Sequence, residues 1–199
     1  GAGGMPSFGR LSFWKNSNYR NIRSTIKRNF ERINGDSETN ILVVGTLTGG
    51  TGSGLCVDIA YLIQDMLPNN VKNLDALFLI PDRGSLKTDI SLHENSFSAI
   101  SALTYYSQTK NKYNVVWPDK TQFNTSAPPY QQCHYLSQDF SNYKASIEDL
   151  GELVKVAGMQ VLLNIIHTNT PGAYFQASLD ARKIDQAGAE RLGNQITSG

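Results

Sequence analysis

The chain has 199 residues, 40% of them hydrophobic and 18% charged, with a net charge of +1. That is enough for one sizeable core and part of a second domain. The balanced charge argues against nucleic acid or a membrane surface as the main partner, and no apolar run approaches the roughly 20 residues of a transmembrane helix.

The opening, Gly1-Ala2-Gly3-Gly4-Met5-Pro6-Ser7-Phe8-Gly9-Arg10, reads either as a flexible tail or as a phosphate-facing loop lacking its own strand. Asn21 to Asn34 then predict a helix. Ile22, Ile26, Phe30 and Ile33 form its apolar stripe, against Arg20, Arg23, Lys27, Arg28 and Arg32. Without interleaved aromatics, that basic face reads as solvated or as a protein interface rather than a nucleic-acid site. Asn34-Gly35-Asp36-Ser37 supplies turn chemistry.

Ile41-Leu42-Val43-Val44-Gly45 has the length and apolarity of a buried parallel strand. Thr46-Leu47-Thr48-Gly49-Gly50-Thr51-Gly52-Ser53-Gly54 follows as a glycine-rich turn, and Leu55 to Leu67 reads as a helix. Glycine lets a main chain turn sharply and approach an anion with no Cβ in the way. The orphan N–H groups and positive dipole end of the next helix attract that anion. After a turn at Pro68-Asn69-Asn70, Leu74 to Ile80 forms a second strand closed by Pro81. The β-loop-α-β pattern argues for a parallel sheet, in which ligands sit beyond the carboxyl ends of the strands. The loop Asp82 to Asp89 should reach the same rim.

A helix from about Ser91 to Ser107 comes next, with Glu94 and Asn95 in its first turns. From Gln108 to Tyr130 the sequence is polar and aromatic, with one short strand expected at Val115-Val116-Trp117. Cys133 to Leu136 reads as another strand and Ser137 to Asn142 as its loop. Cys56 and Cys133 have no metal or disulfide spacing and read as reduced core residues, with the cytoplasm the simplest compartment. The longest helix runs from about Ser146 to Ile166, apolar over most of its circumference and therefore expected to be buried. Beyond Thr170-Pro171-Gly172 the chain turns polar and helix-like from Ala181 to Leu192.

The glycine-rich turn is not a Walker A loop, because no lysine lies between Thr46 and Gly54. It also fails the dinucleotide spacing, and it leads into a helix rather than between antiparallel strands as a kinase loop does. Gly49-Gly50-Thr51-Gly52-Ser53-Gly54 resembles the signature loop of the tubulin/FtsZ superfamily of GTPases. Gly1-Ala2-Gly3-Gly4, with Pro6 and Gly9-Arg10, resembles the phosphate loop that precedes it in FtsZ-like proteins. With Glu94-Asn95 and the Glu152-Leu153-Val154 helix, the pattern looks closest to divergent bacterial tubulin-like proteins, over about residues 1 to 166.

The resemblance implies an α/β fold: a Rossmann-like three-layer GTPase domain with a mostly parallel sheet, incomplete at both ends and so part of a larger protein. It implies a partial nucleotide-binding domain over 1–145, a long buried core helix over 146–166, and the start of a following region over 167–199. GTP or GDP with Mg²⁺ is the implied ligand. The phosphates fall to Ala2, Gly3, Gly4, Gly49, Gly50, Thr51, Gly52, Ser53 and Gly54, with hydroxyl donors from Thr51 and Ser53. Glu94 matches the acid that accepts from the ribose, or is a first-turn acid favoured by the helix dipole. The base falls to Gln138, Asp139 or Asn142, with Glu148, Asp149 or Glu152 from the long helix, or to stacking at Asn142-Tyr143.

In the family, hydrolysis is completed by an acid in the loop after the long helix, acting across a filament interface. This chain reads His167-Thr168-Asn169-Thr170-Pro171-Gly172 there, and Asp180 and Asp185 further on are the candidates. Three functions follow. One is a GTP-binding subunit that associates head to tail into filaments. Another is a non-hydrolysing nucleotide-binding switch or scaffold in a larger complex, and the third is an α/β enzyme for another phosphorylated ligand.

Overall fold

The computed structural model describes residues 2–33, 39–69, 71–81, 90–137, 139–140, 145–146 and 150–167. Helices α1 (Pro6–Trp14) and α2 (Asn16–Ile33) precede strand β1 (Thr39–Thr46), helix α3 (Gly50–Met66) and strand β2 (Val71–Ile80). Helix α4 (Ile90–Tyr106) leads to strands β3 (Tyr113–Val116), β4 (Gln122–Thr125) and β5 (Gln132–Ser137). The short strands β6 (Asp139–Phe140) and β7 (Ala145–Ser146) precede helix α5 (Leu150–His167). The chain divides into two compact units, 1–154 and 155–199.

The first unit is α/β, built on a parallel sheet of order β1-β2-β5. Ile41 stands opposite Leu74 and Gly45 opposite Phe78; across β2, Ala76 meets Cys133 and Leu79 meets Leu136. Parallel neighbours need crossovers, and α3 supplies the one between β1 and β2. β2 is central, and its Ala76, Leu77, Phe78 and Leu79 are buried, as a strand covered on both faces requires. One apolar cluster joins this sheet to α3 and α4 through Ala60, Ile63, Phe78, Ala99 and Leu103. A second, largely aromatic cluster joins α1, α2 and α3 to β3 through Phe13, Tyr19, Tyr61, Tyr113 and Trp117.

Several elements differ from their sequence-based expectation. Pro6 opens a helix rather than lying in a tail, since its fixed φ and missing N–H suit the first helical position. α3 begins at Gly50, inside the glycine loop, because the glycines there serve close packing rather than helix breaking. α2 starts at Asn16. Its Arg23, expected on the solvated face, donates to Asp119 Oδ2 at 3.0 Å and to Tyr19 Oη at 2.7 Å, holding α2 to the β3–β4 turn. β4 has one large apolar residue, Phe123, and forms by antiparallel pairing with β3. Asp139–Phe140, expected as loop, pairs antiparallel with Ala145–Ser146.

α5 begins at Leu150. It buries Leu153 and Ala157 and leaves Val154, Val156, Met159 and Leu162 exposed, less burial than its apolar circumference suggested. Among the described residues, no helix is long and apolar enough to cross a membrane.

Candidate functional site

The turn after β1 stays attached to the sheet. The N–H of Leu47 donates to the carbonyl of Leu79 at 3.1 Å, and the hydroxyls of Thr46 and Thr48 share a hydrogen bond of 2.9 Å. Gly49 is the N-cap of α3, with extended dihedrals (φ −82°, ψ 152°) and no side chain to cap the helix. A helix start of this kind leaves first-turn N–H groups for an external acceptor. Ser53 faces inward: its hydroxyl and its N–H both donate to the carbonyl of Gly49, at 2.6 and 3.1 Å. The Ser53 hydroxyl is thus tied back to the first residue of the loop-to-helix junction.

The first glycine stretch forms a second turn beside this one. Met5 N–H donates to the carbonyl of Ala2 at 3.1 Å, and Gly3 and Gly4 hold φ of 57° and 76°, the left-handed region that favours glycine. α1 then packs on the start of α3 with backbone against backbone. A Cβ on Gly50 would meet the Met5 main chain at 2.5 Å, and Cβ atoms on Gly9 and Gly54 would collide with the carbonyls of Gly50 and Pro6. A Cβ on Gly52 would collide with the carbonyl of Thr46.

Asn95, on α4, closes the pair. Its Nδ2 donates to the carbonyl of Gly4 at 2.5 Å and to that of Thr48 at 3.0 Å. Its neighbour Glu94 is exposed on the same helix.

A cavity of about 750 Å³ opens beside the loops. Ala2, Gly3 and Thr51 line it, with Phe8, Phe13, Ile22 and Leu55 as apolar wall and Ser12, Asn18 and Asn21 as polar edge. A Cβ on Gly3 would meet nothing within 4 Å, so this backbone is open to approach. Ala2, Gly3 and Thr51 thus share one space. Gly50 and Gly54 make the seam against Met5 and Pro6, and Gly4 is joined to it through Asn95. Asp139 lies in β6, while Gln138, Asn142, Asp180 and Asp185, like Glu148 and Asp149, fall outside the described residues. Among the described residues, no three His, Cys, Asp or Glu side chains form a group suited to a metal ion.

Asp58 fastens α1 from behind. It is 1% exposed and accepts from Arg10, from Trp14 Nε1 at 3.3 Å and from Tyr113 Oη at 2.7 Å. The hydrogen bond to Asp58 raises the pKa of Arg10 further, and burial, with the Asp58 charge, raises that of Tyr113. Sequence reasoning missed the roles of Asp58 and Asn95. The available signal was a lone acid among Val57, Ile59 and Ala60, in a helix otherwise apolar around it.

A family model described as "Tubulin like" matches residues 1–191. No curated protein matches the chain.

Proposed function

The chain belongs to the tubulin-like family, and on that premise we propose that it binds a guanine nucleotide at the paired loops and associates head to tail with further copies of itself. The nucleotide-binding part spans residues 1–145. The observation that carries the reading is the joining of Ala2–Met5 to Thr48–Gly54 by Asn95, beside a cavity reached by Ala2, Gly3 and Thr51. Backbone N–H groups at the α3 N-terminus suit phosphate oxygens without a lysine. Mg²⁺ would be held through phosphate oxygens and water, since a small hard cation keeps several waters. Glu94 is the candidate for the ribose hydroxyls, and Gln138, Asp139 and Asn142 are those for the base edge.

Titration of the chain with a fluorescent GTP, competed by GTP, GDP and ATP, tests the binding. Displacement by GTP well before ATP supports the guanine assignment, and equal displacement removes it. Light scattering with GTP and with a slowly hydrolysed analogue tests association; no assembly at high protein concentration removes the head-to-tail part. A second reading, a nucleotide-bound switch without turnover, draws on the absence of an acid in His167–Gly172. Phosphate release from GTP by assembled chains would exclude it.

A further inference from the structure

We infer that Asn95 is a positioning residue that makes the two glycine turns into one site and sets its preference for a polyphosphate over a single phosphate. The inference rests on the nucleotide reading above and adds a specificity determinant to it.

Asn95 is 9% exposed, and its carboxamide nitrogen reaches the carbonyl of Gly4 at 2.5 Å and that of Thr48 at 3.0 Å. Both partners are acceptors only, so the NH₂ end of the amide must lie between them, and it carries one hydrogen for each. Among the described residues, glycine seams also hold α1 and its preceding turn against the start of α3: Gly50 against Met5, Gly54 against Pro6 and Gly9 against Gly50. Those seams fix how closely α1 and α3 approach. They are not directional. The two Asn95 hydrogen bonds are directional, and they connect a helix of the sheet to both turns.

An anion touching one turn gains from that turn's N–H groups wherever the other turn stands. A phosphate chain spanning both gains from the second only if the gap between them is already correct, which is preorganisation. Loosening the clamp therefore weakens longer anions more than short ones. Glu94, at the preceding position, is exposed.

The test is calorimetric titration of the full chain with GMP, GDP, GTP and tripolyphosphate, in wild type, Asn95→Ala and Asn95→Asp. Asn95→Asp keeps the shape and removes both donors. The expected result is a GTP-to-GMP affinity ratio lower by about tenfold in both variants, with GMP binding changed less than about threefold. An unchanged ratio, or equal losses for GTP and GMP, overturns the inference. Absence of binding by the wild-type chain overturns the nucleotide reading and this inference with it. Should both variants fail to fold, hydrogen exchange on the wild type decides. Tripolyphosphate must protect the amides of Gly3–Gly4 and Gly50–Gly52 together, and protection of one turn alone refutes the clamp.

Discussion

Arg10 and Asp58 meet across 48 positions of sequence as a bidentate pair, Nε donating to Oδ2 at 2.7 Å and Nη2 to Oδ1 at 3.0 Å. The two ends are unequally solvated, the Arg10 side chain being 55% exposed and that of Asp58 2%. Asp58 gives up its water and is compensated by Arg10, Trp14 and Tyr113 together. Arg10→Ala should therefore leave a buried carboxylate short of its strongest donor, at a cost of about 3 kcal/mol. Arg10→Lys should recover only part of this, because an ammonium cannot reproduce the two-pronged geometry. Urea denaturation of both variants checks this; an unchanged midpoint for Arg10→Ala would show that the pair does not fasten α1.

The glycines of the signature loop should divide by what their missing Cβ would touch. Gly50→Ala and Gly52→Ala place a methyl against the main chain of Met5 and Thr46, which must shift at a cost of about 1–3 kcal/mol. Gly158→Ala meets nothing within 4 Å in α5 and should stabilise that helix by about 1 kcal/mol. Thermal melts of the three variants should show two decreases and one increase.

Stability should fall on the alkaline side. Burial pushes the Cys56 thiol from 9.0 up to about 12 and the Cys133 thiol up to about 11. Burial likewise raises the phenols of Tyr61, Tyr113, Tyr130 and Tyr135 above their usual 10.0. The folded chain then keeps protons that the unfolded chain releases, so these groups favour folding fully below about pH 9 and less as pH rises above it. Urea midpoints should hold up to about pH 9 and then decline. Phenolate absorbance from these four tyrosines should appear together with unfolding, and its appearance in the folded protein near pH 10.0 would contradict the assignment.

Trp117 is the centre of the aromatic cluster, 1% exposed and stacked on Trp14 (5.8 Å, 25°) and Tyr19 (5.9 Å, 23°). Trp117→Ala should cost about 3–5 kcal/mol, as for other large buried aromatics. Trp117→Phe keeps most of the apolar contact and should cost less. Trp14 then remains as the sole tryptophan, and its emission should shift to the red in Trp117→Ala as water reaches its ring.

The legible part of the fold was the local part. Ile41–Gly45 as strand, the glycine turn, a following helix and Leu74–Ile80 as a second strand all emerge from short-range pattern, and the parallel sheet follows from their order. β4 did not emerge, because Gln122–Thr125 has one large apolar residue and owes its strand conformation to β3. Helix α1 was obscured by its glycine: Gly9 lies inside it because a Cβ there would collide with Gly50, a requirement no window around Gly9 can reveal.

At the candidate site the same division holds. The sequence by itself determined that one strand ends in a glycine turn and a helix start, an arrangement that attracts anions through backbone groups alone. Only the tertiary structure decided that Ala2–Met5 lies against that turn, and that Asn95, rather than Glu94 beside it, joins the two. The physical reason is distance along the chain. The Asn95 bonds to Thr48 and Gly4 span 47 and 91 positions, and hydrogen bonds to main-chain carbonyls accept any residue type as partner. Such a bond leaves no trace in the identity of the residues it ties down.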